Sequence, residues 1–194
     1  MNFSDFQAIY DFTVIETAVQ SMFATIAGYS VPPNDGDQDA ENWLPPEGAT
    51  PFYTAFQALT FQKCRPRVYI AAFDFQPVRQ AYAIDANSNL REKAWVGNMR
   101  LGIITNPNYT LHTQLRAQVL AIIPQVQPGI AMDNSAFAGT GINAILASHQ
   151  VSEFYADNLS TTITPEEGTY RSTINIKLAF SVPPSAWPAG MQTY

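Results

Sequence analysis

The stretch YRSTINIKLAFSV, residues 170–182, alternates between two sets of side chains without a break. One set is largely apolar: Ser172, Ile174, Ile176, Leu178, Phe180 and Val182. The other is largely polar: Arg171, Thr173, Asn175, Lys177, Ala179 and Ser181. A period of two is typical of a strand with one face on a core and one polar face. The pattern therefore predicts a long strand on which earlier elements pack, and Pro183 and Pro184 end it because proline cannot donate to a sheet ladder.

The length and composition of the chain predict a single domain, residues 1–194, with an unusually neutral surface. Charged residues are 13% of the chain, about half of the ~25% that is typical. A surface with little charge and many aromatic side chains suits permanent protein partners, and a neutral soluble monomer is the alternative.

The charge is concentrated at one end of the chain. Residues 1–62 carry eight acids and no Lys or Arg, whereas the rest carries eight acids and ten bases. The net charge of −6 therefore comes from the N-terminal third. Such a chain is poorly suited to gripping nucleic acid, which needs a basic surface, but it could line a passage through which DNA slides without binding.

The cysteine count and the hydropathy also restrict the class of protein. Cys64 is the only cysteine, so the chain forms no internal disulfide and no cysteine zinc site, as suits a reducing cytoplasm. The N-terminus lacks a basic region and a cleavage site, so we expect no signal peptide. No apolar run approaches the ~20 residues that a membrane helix needs.

The N-terminal part predicts one helix followed by a long loop. We expect a helix over residues 4–27, capped by Ser4 or Asp5 and ended by Gly28. It carries two apolar stripes, one facing the core and one facing either the same core or another chain. The first stripe is Phe12, Ile15, Val19, Met22 and Ile26, and the second is Phe6, Ile9, Tyr10 and Val14. Residues 28–51 are rich in proline and acids and predict a long loop.

The middle and C-terminal parts predict a sheet and a second helix. Residues 52–61 fit either a strand or a short helix, and residues 67–75 and 95–105 predict strands joined by a connection over 79–93. Thr110 is placed to cap a helix ending at Ile123, with an apolar face of Leu111, Leu115, Val119 and Ile122. A second long loop (124–143), a strand (145–157) and a turn or loop (162–169) precede the final strand.

This order predicts an α+β fold, a mostly antiparallel sheet packed by the N-terminal helix and the central helix, with two long loops.

Two motifs that suggest ligand chemistry depart from the patterns that such chemistry requires. Asp35, Asp37, Asp39 and Glu41 alternate like calcium ligands, but Ala40 stands at the turn-glycine position and Pro46 at that of the last ligand. We expect a solvated acidic loop and no metal. The Gly-Thr-Gly of residues 139–141 lacks the preceding strand that phosphate binding needs, so we expect a flexible loop and no cofactor.

The histidines and the one basic cluster have mainly structural interpretations. His112 and His149 are the only histidines, and neither has a His or Cys three or four residues further along the chain, so a local zinc-binding pair is absent. The chain has no G-x-S-x-G, so we expect no enzyme, with His112 at a helix start and His149 on a strand surface. Lys63, Arg65 and Arg67 fit a strand edge or an ion-pair patch, and the alternative is single-stranded nucleic acid.

Four segments carry a resemblance to a known family. They are RPRVYI (65–70), WVGNMRLGIITN (95–106), LHTQLRA (111–117) and TYRSTINIKLAFSV (169–182). In this order they resemble the core of long-tailed bacteriophage head–tail joining (neck) proteins, nearest the tail-terminator type.

The resemblance implies a structural virion protein, made in the host cytoplasm, with no catalytic residues to transfer. Such subunits form a ring of about six copies at the top of the tail tube. The ring ends tube polymerisation and joins the tail to the neck and head. Its partners would be the tail tube protein and a neck or stopper protein, and DNA would pass through its lumen without specific binding.

Alternatives within the class are another neck ring, a stopper or adaptor, or a tube subunit. Rivals from other classes are a small hydrolase using His112 or His149, and a ligand-binding module lined by Phe52, Tyr53, Phe56 and Phe61. For the ring, the predicted interface residues come from the second helix stripe, the acidic loop, the basic strand start and the second long loop. These are Phe6, Tyr10, Val14, Asp35, Asp37, Asp39, Arg65, Arg67 and Phe137.

Overall fold

The computed structural model describes residues 12–32, 43–60, 65–77, 93–123, 141–146, 150–164 and 168–182. The helices in this part of the chain are α1 (Thr13–Ala24), α2 (Ala55–Thr60), α3 (Tyr109–Ile122) and α4 (Ile142–Ile145). The strands are β1 (Tyr29–Ser30), β2 (Thr50–Tyr53), β3 (Arg67–Pro77), β4 (Lys93–Thr105), β5 (Gln150–Thr164) and β6 (Thr169–Val182). They form one sheet in the order β1-β2-β3-β4-β6-β5. The β1–β2 and β2–β3 pairs are parallel, and the β3–β4, β4–β6 and β6–β5 pairs are antiparallel. The predicted α+β fold with a mostly antiparallel sheet is confirmed.

Strand β6 occupies the middle of the long-strand part of the sheet, with β4 on one side and β5 on the other. Its burial alternates as predicted: every even-numbered residue from Ser172 to Val182 is buried, and the odd-numbered residues between them are half-buried. The odd-numbered residues of β4 from Trp95 to Ile103 are buried and lie opposite these even positions, as Leu101 pairs with Ile174. This side of the sheet, the helix face, joins α1 and α3 in one core, and the other side is called the open face.

Helix α1 confirms the inward stripe and ends earlier than predicted. Ile15, Val19 and Met22 are buried in the core, and the other two members of that stripe pack against it. The helix stops at Ala24 rather than at residue 27, and its C-cap is Thr25. Gly28, with φ of 91°, belongs instead to the turn that leads into β1. Residues 4–11 lie outside the described part.

The first predicted long loop contains sheet structure at both ends. Strands β1 and β2 pair in parallel within residues 28–51, and the Thr50 amide donates to the Gly28 carbonyl at 2.7 Å. This pairing corrects the loop boundaries, and residues 33–42 are not among those described. The second predicted loop ends at residue 141, because α4 begins at Ile142, and residues 124–140 lie outside the described ranges.

The ambiguous segment 52–61 is both a strand end and a helix. β2 ends at Tyr53 and α2 begins at Ala55 because Thr54 and Gln57 form a capping box. The backbone N–H of Gln57 donates to the Thr54 hydroxyl at 3.3 Å, and the backbone N–H of Thr54 donates to the side-chain oxygen of Gln57 at 3.1 Å.

Strands β3 and β4 confirm the predictions for residues 67–75 and 95–105, and most of their connection (78–92) is outside the described residues. The prediction for β5 was wrong at both ends. Ile145 ends α4, and β5 continues to Thr164, where it pairs with Thr169. The β-branched run over residues 161–164 favours this extension, so the predicted loop at 162–169 shrinks, with Gly168 at φ 58° in its turn.

Helix α3 begins earlier than predicted and presents a different first residue to the core. Asn108, rather than Thr110, is the N-cap, and its side chain accepts a hydrogen bond from the Leu111 amide at 3.0 Å. Leu111 is 37% exposed, whereas His112 is fully buried. The helix ends at Ile122, and Ile123 is extended, as expected of a residue before proline.

Candidate functional site

A buried polar network centred on His112 joins α3 to three strands of the sheet. The imidazole Nδ1 lies 2.9 Å from the Thr105 hydroxyl, and Nε2 lies 2.7 Å from the Ser172 hydroxyl. Ser172 is in turn 2.9 Å from the Thr161 hydroxyl, to which the Arg116 guanidinium donates at 2.9 Å. The network therefore runs from the interior at Thr105 to the protein surface at Thr161 and Arg116.

One arrangement of hydrogens gives every buried donor of this network an acceptor. The buried Thr105 hydroxyl donates to Nδ1 of His112, Nε2–H donates to Ser172, and the Ser172 hydroxyl donates to Thr161. Thr161 is exposed, so its own hydrogen can reach water. The opposite direction would leave the Thr105 hydrogen without an acceptor among the described residues. The geometry therefore favours a neutral imidazole protonated on Nε2.

The surroundings of His112 also keep it neutral. Burial lowers its pKa, and the positive charge of Arg116 lowers it further. The other ionisable side chain in contact with the ring is Tyr170, at a centroid distance of 5.7 Å.

Hydrolase sites also contain a histidine within hydrogen-bond distance of a serine, but two features make His112 and Ser172 unsuited to that chemistry. Ser172 is 2% exposed and His112 is 0% exposed, so the hydroxyl offers no path to a substrate. The second ring nitrogen faces a threonine rather than the carboxylate that would orient an imidazolium. The pair instead ties α3 to the sheet, and His149 lies outside the described residues.

The basic strand start divides into one exposed and one buried arginine. Arg65 is exposed. Arg67 is 9% exposed, donates to the Ala58 carbonyl at 3.3 Å and lies 5.1 Å above the Tyr69 ring. Its guanidinium thus packs on the open face beside α2, while Lys63 is outside the described residues.

Of the other predicted interface residues, only Val14 lies within the described part of the chain. Val14 is half-buried and lines a shallow groove of about 410 Å³ between α1 and α4. The remaining six lie outside the described residues: Phe6, Tyr10, Asp35, Asp37, Asp39 and Phe137. The interface role of all nine residues stays a prediction.

The aromatic pocket considered for a ligand-binding module does not form at its described members. Phe52 and Tyr53 are both fully buried and, as neighbours in β2, they point to opposite faces of the sheet. Phe52 stacks on Phe23 at 4.1 Å on the helix face, whereas Tyr53 meets Trp43 on the open face at 6.2 Å.

A groove of about 500 Å³ lies elsewhere, between α3, the turn that joins α1 to β1, and Gly48 and Thr50 around the start of β2. Its apolar lining includes Ile26, Leu111 and Ile122, and Gln114 and Gln118 are polar residues on its α3 side. None of its lining residues is charged. The sequence signalled Leu111 only as a core residue, so its exposure in this groove was missed.

Within the described residues, no three His, Cys, Asp or Glu side chains are grouped closely enough to hold a metal ion. The helices in the same ranges are all too short or too polar to cross a membrane. The acidic motif at 35–41 and most of the Gly-Thr-Gly motif are outside these ranges, and Gly141 is the N-cap of α4.

Comparisons with known proteins found similarity among solved structures. No family model matches the chain, and no curated protein matches it. Among solved structures, it is similar to a chain described as "Virion of native gene transfer agent (GTA) particle", with a TM-score of 0.48 and 9% identity. The similarity covers 93% of this chain and 99% of the other. At this level of similarity the match carries no argument about function.

Proposed function

We propose that this protein is a structural virion protein that forms a ring at the top of a phage tail tube. The ring would end tube polymerisation and join the tail to the neck. Its partners would be copies of itself, a tail tube protein and a neck or stopper protein, and DNA would pass through its lumen. It would act by shape and assembly rather than by catalysis.

The arrangement of the four segments that resemble the tail-terminator group carries this proposal. Residues 65–70 fall largely in β3, residues 95–106 in β4 and residues 169–182 in β6, and these strands are adjacent in that order in the sheet. The fourth segment, 111–117, lies in α3, which packs on the helix face. The resemblance therefore covers one contiguous structural unit rather than scattered matches.

The chemistry of the described residues is consistent with this role. The histidine–serine pair found among them is sealed inside the protein, and the open face of β6 presents a half-buried row of mostly polar residues. A surface that is neither strongly charged nor catalytic suits a subunit whose neighbours are other proteins.

Native mass spectrometry of the purified chain, combined with negative-stain electron microscopy, tests the proposal. We expect closed rings of about six copies, and no long tubes. Self-assembly into open-ended cylinders would identify a tube subunit instead. A chain that stays monomeric at high concentration, and does not close into rings when mixed with its tail tube protein, would refute ring formation.

A further inference from the structure

The buried polar network supplies the polar contacts that join α3 to the sheet. Within the described residues, the side-chain hydrogen bonds between α3 and the strands all belong to it. Thr105 and Ser172 bond to His112, and Thr161 accepts from Arg116. The rest of this helix face is apolar, with the buried side chains Leu115, Val119 and Ile122. One titratable ring therefore stands at the centre of the polar contacts between α3 and the strands.

These hydrogen bonds fit a neutral ring and cannot all persist around an imidazolium. The neutral ring accepts from Thr105 at one nitrogen and donates to Ser172 at the other. A protonated ring donates at both nitrogens, so the Thr105 hydroxyl would have to turn and accept. Its own hydrogen would then lose its acceptor, and because Thr105 and His112 are both 0% exposed, solvent does not reach that hydrogen.

The groups that face the ring do not compensate a positive charge. Arg116, one helical turn further along α3, is itself a cation. Tyr170 on β6, 5.7 Å from the ring centroid, and Tyr109, which packs on Tyr170, are uncharged phenols. The hydrogen-bond partners on β4 and β6 are hydroxyls, and no carboxylate of the described residues contacts the imidazole. A proton on His112 is therefore costly in the docked helix.

The position of α3 allows it to leave the sheet while the other end of the core stays covered. His112 lies where Thr105 pairs with Tyr170, at one end of β4 and β6. Phe12, at the start of α1, packs on Trp95 at the other end, ten residues from Thr105 along β4, or about 33 Å. The strand ladders do not include α3. Local opening of such a unit requires less free energy than global unfolding.

We propose that His112 makes the docking of α3 pH-sensitive: protonation of its imidazole releases the helix from the sheet while the long strands stay paired. The docked form excludes the proton, whereas the opened form, which is locally unfolded, exposes the ring and takes the proton up. Burial lowers the pKa of His112 and Arg116 lowers it further, in agreement with this reasoning. Opening is therefore favoured as the pH falls below ~6.5, the pKa of an exposed histidine. The inference does not depend on the proposed ring.

Hydrogen exchange of single amides, followed by NMR, tests the inference. With a pKa of ~6.5 in the opened form, the opening equilibrium should rise about thirtyfold between about pH 7.5 and pH 5.0. The amides of Leu115 and Val119 in α3 should show this rise after correction for intrinsic exchange. At both pH values they should also exchange faster than the amides of Leu101 and Ile174 in the sheet.

Two histidine variants assign the effect to one ring. His112→Gln can still form hydrogen bonds but takes up no proton in this range, so it should abolish the thirtyfold rise in α3. His149→Gln is the matched control, since it removes the only other histidine, and it should keep the rise. This control chain also decides the test if His112→Gln does not fold, because His112 is then its only imidazole.

Two kinds of result would overturn the inference. Equal exchange rates for the Leu115 and Leu101 amides would mean that α3 opens only when the whole chain unfolds. A pH dependence that is missing from the His149→Gln chain, or that persists in the His112→Gln chain, would mean that protonation of His112 does not control the helix.

Discussion

The Ser172→Ala variant isolates the contribution of the buried network to stability. The hydroxyl accepts from Nε2–H of His112 at 2.7 Å, and the imidazole is 0% exposed. Its removal leaves a buried donor without a partner, which costs about 1–3 kcal/mol. The second bond, to the exposed Thr161, can be replaced by water and adds little. Since only one oxygen atom is lost, the variant creates almost no cavity.

We therefore expect the free energy of unfolding to fall by about 2 kcal/mol and the melting temperature to fall by roughly 4–8 °C for a chain of this size. Urea denaturation measures the first and calorimetry the second. Ser181→Ala is the matched control, because Ser181 lies on the same strand but is half-buried on the open face, and it should change stability by less than about 0.5 kcal/mol.

Nitrogen-15 spectra of the two histidines provide an independent check. The wild type should show one of them, His112, as the neutral Nε2–H tautomer. If the Ser172 and Ser181 variants were equally stable, or if His112 were protonated on Nδ1 instead, the deduced direction of the network would be wrong.

Three further predictions concern single positions. Because His112 stays neutral when folded, its pKa being lowered by burial and then by Arg116, only the unfolded chain takes up a proton as the pH falls below ~6.5. The free energy of unfolding should therefore decrease as the pH is lowered through that window. In urea titrations at several pH values, His112→Gln should remove this part of the pH dependence, and identical pH dependence of the variant and the wild type would contradict the prediction. Gly97→Ala would place a Cβ 1.8 Å from the Asp74 carbonyl oxygen, so we expect a loss of about 3 kcal/mol or more by urea denaturation, and near-wild-type stability would contradict it. Gln20→Ala removes a buried donor to the Gln57 oxygen at 2.7 Å and should cost about 1–3 kcal/mol on the same measurement, whereas a change under about 0.5 kcal/mol would show that the bond is dispensable.

Period-two alternation made the sheet predictable, because it specifies both a strand and its buried face. Strand β6 fulfilled the pattern at every even-numbered position from Ser172 to Val182. Strand β5 was harder to delimit, since it is an edge strand whose residues 157–161 are exposed and whose C-terminal part carries no apolar alternation. The capping box at Thr54 and Gln57 is visible in the sequence and would have separated β2 from α2.

The candidate site was less predictable because it depends on tertiary proximity. Helical spacing allows the buried face of α3 to begin with either Leu111 or His112, followed in both cases by Leu115, Val119 and Ile122. Hydrophobicity alone favoured Leu111. His112 takes the buried position because Ser172, sixty residues away, supplies a hydrogen-bond partner. No local pattern connects residues so distant. The groove was missed for the same reason, as its walls come from α3, from the turn between α1 and β1 and from the start of β2.

The strand order has a consequence for synthesis of the protein. β6 is the last strand in the described sequence, yet it lies between β4 and β5 in the sheet. A nascent chain that ends before residue 169 therefore lacks the strand that pairs with both β4 and β5. The long strands of the sheet can pair fully only after residues 169–182 have left the ribosome. A chain that stops before residue 169 would present two unpaired strand edges.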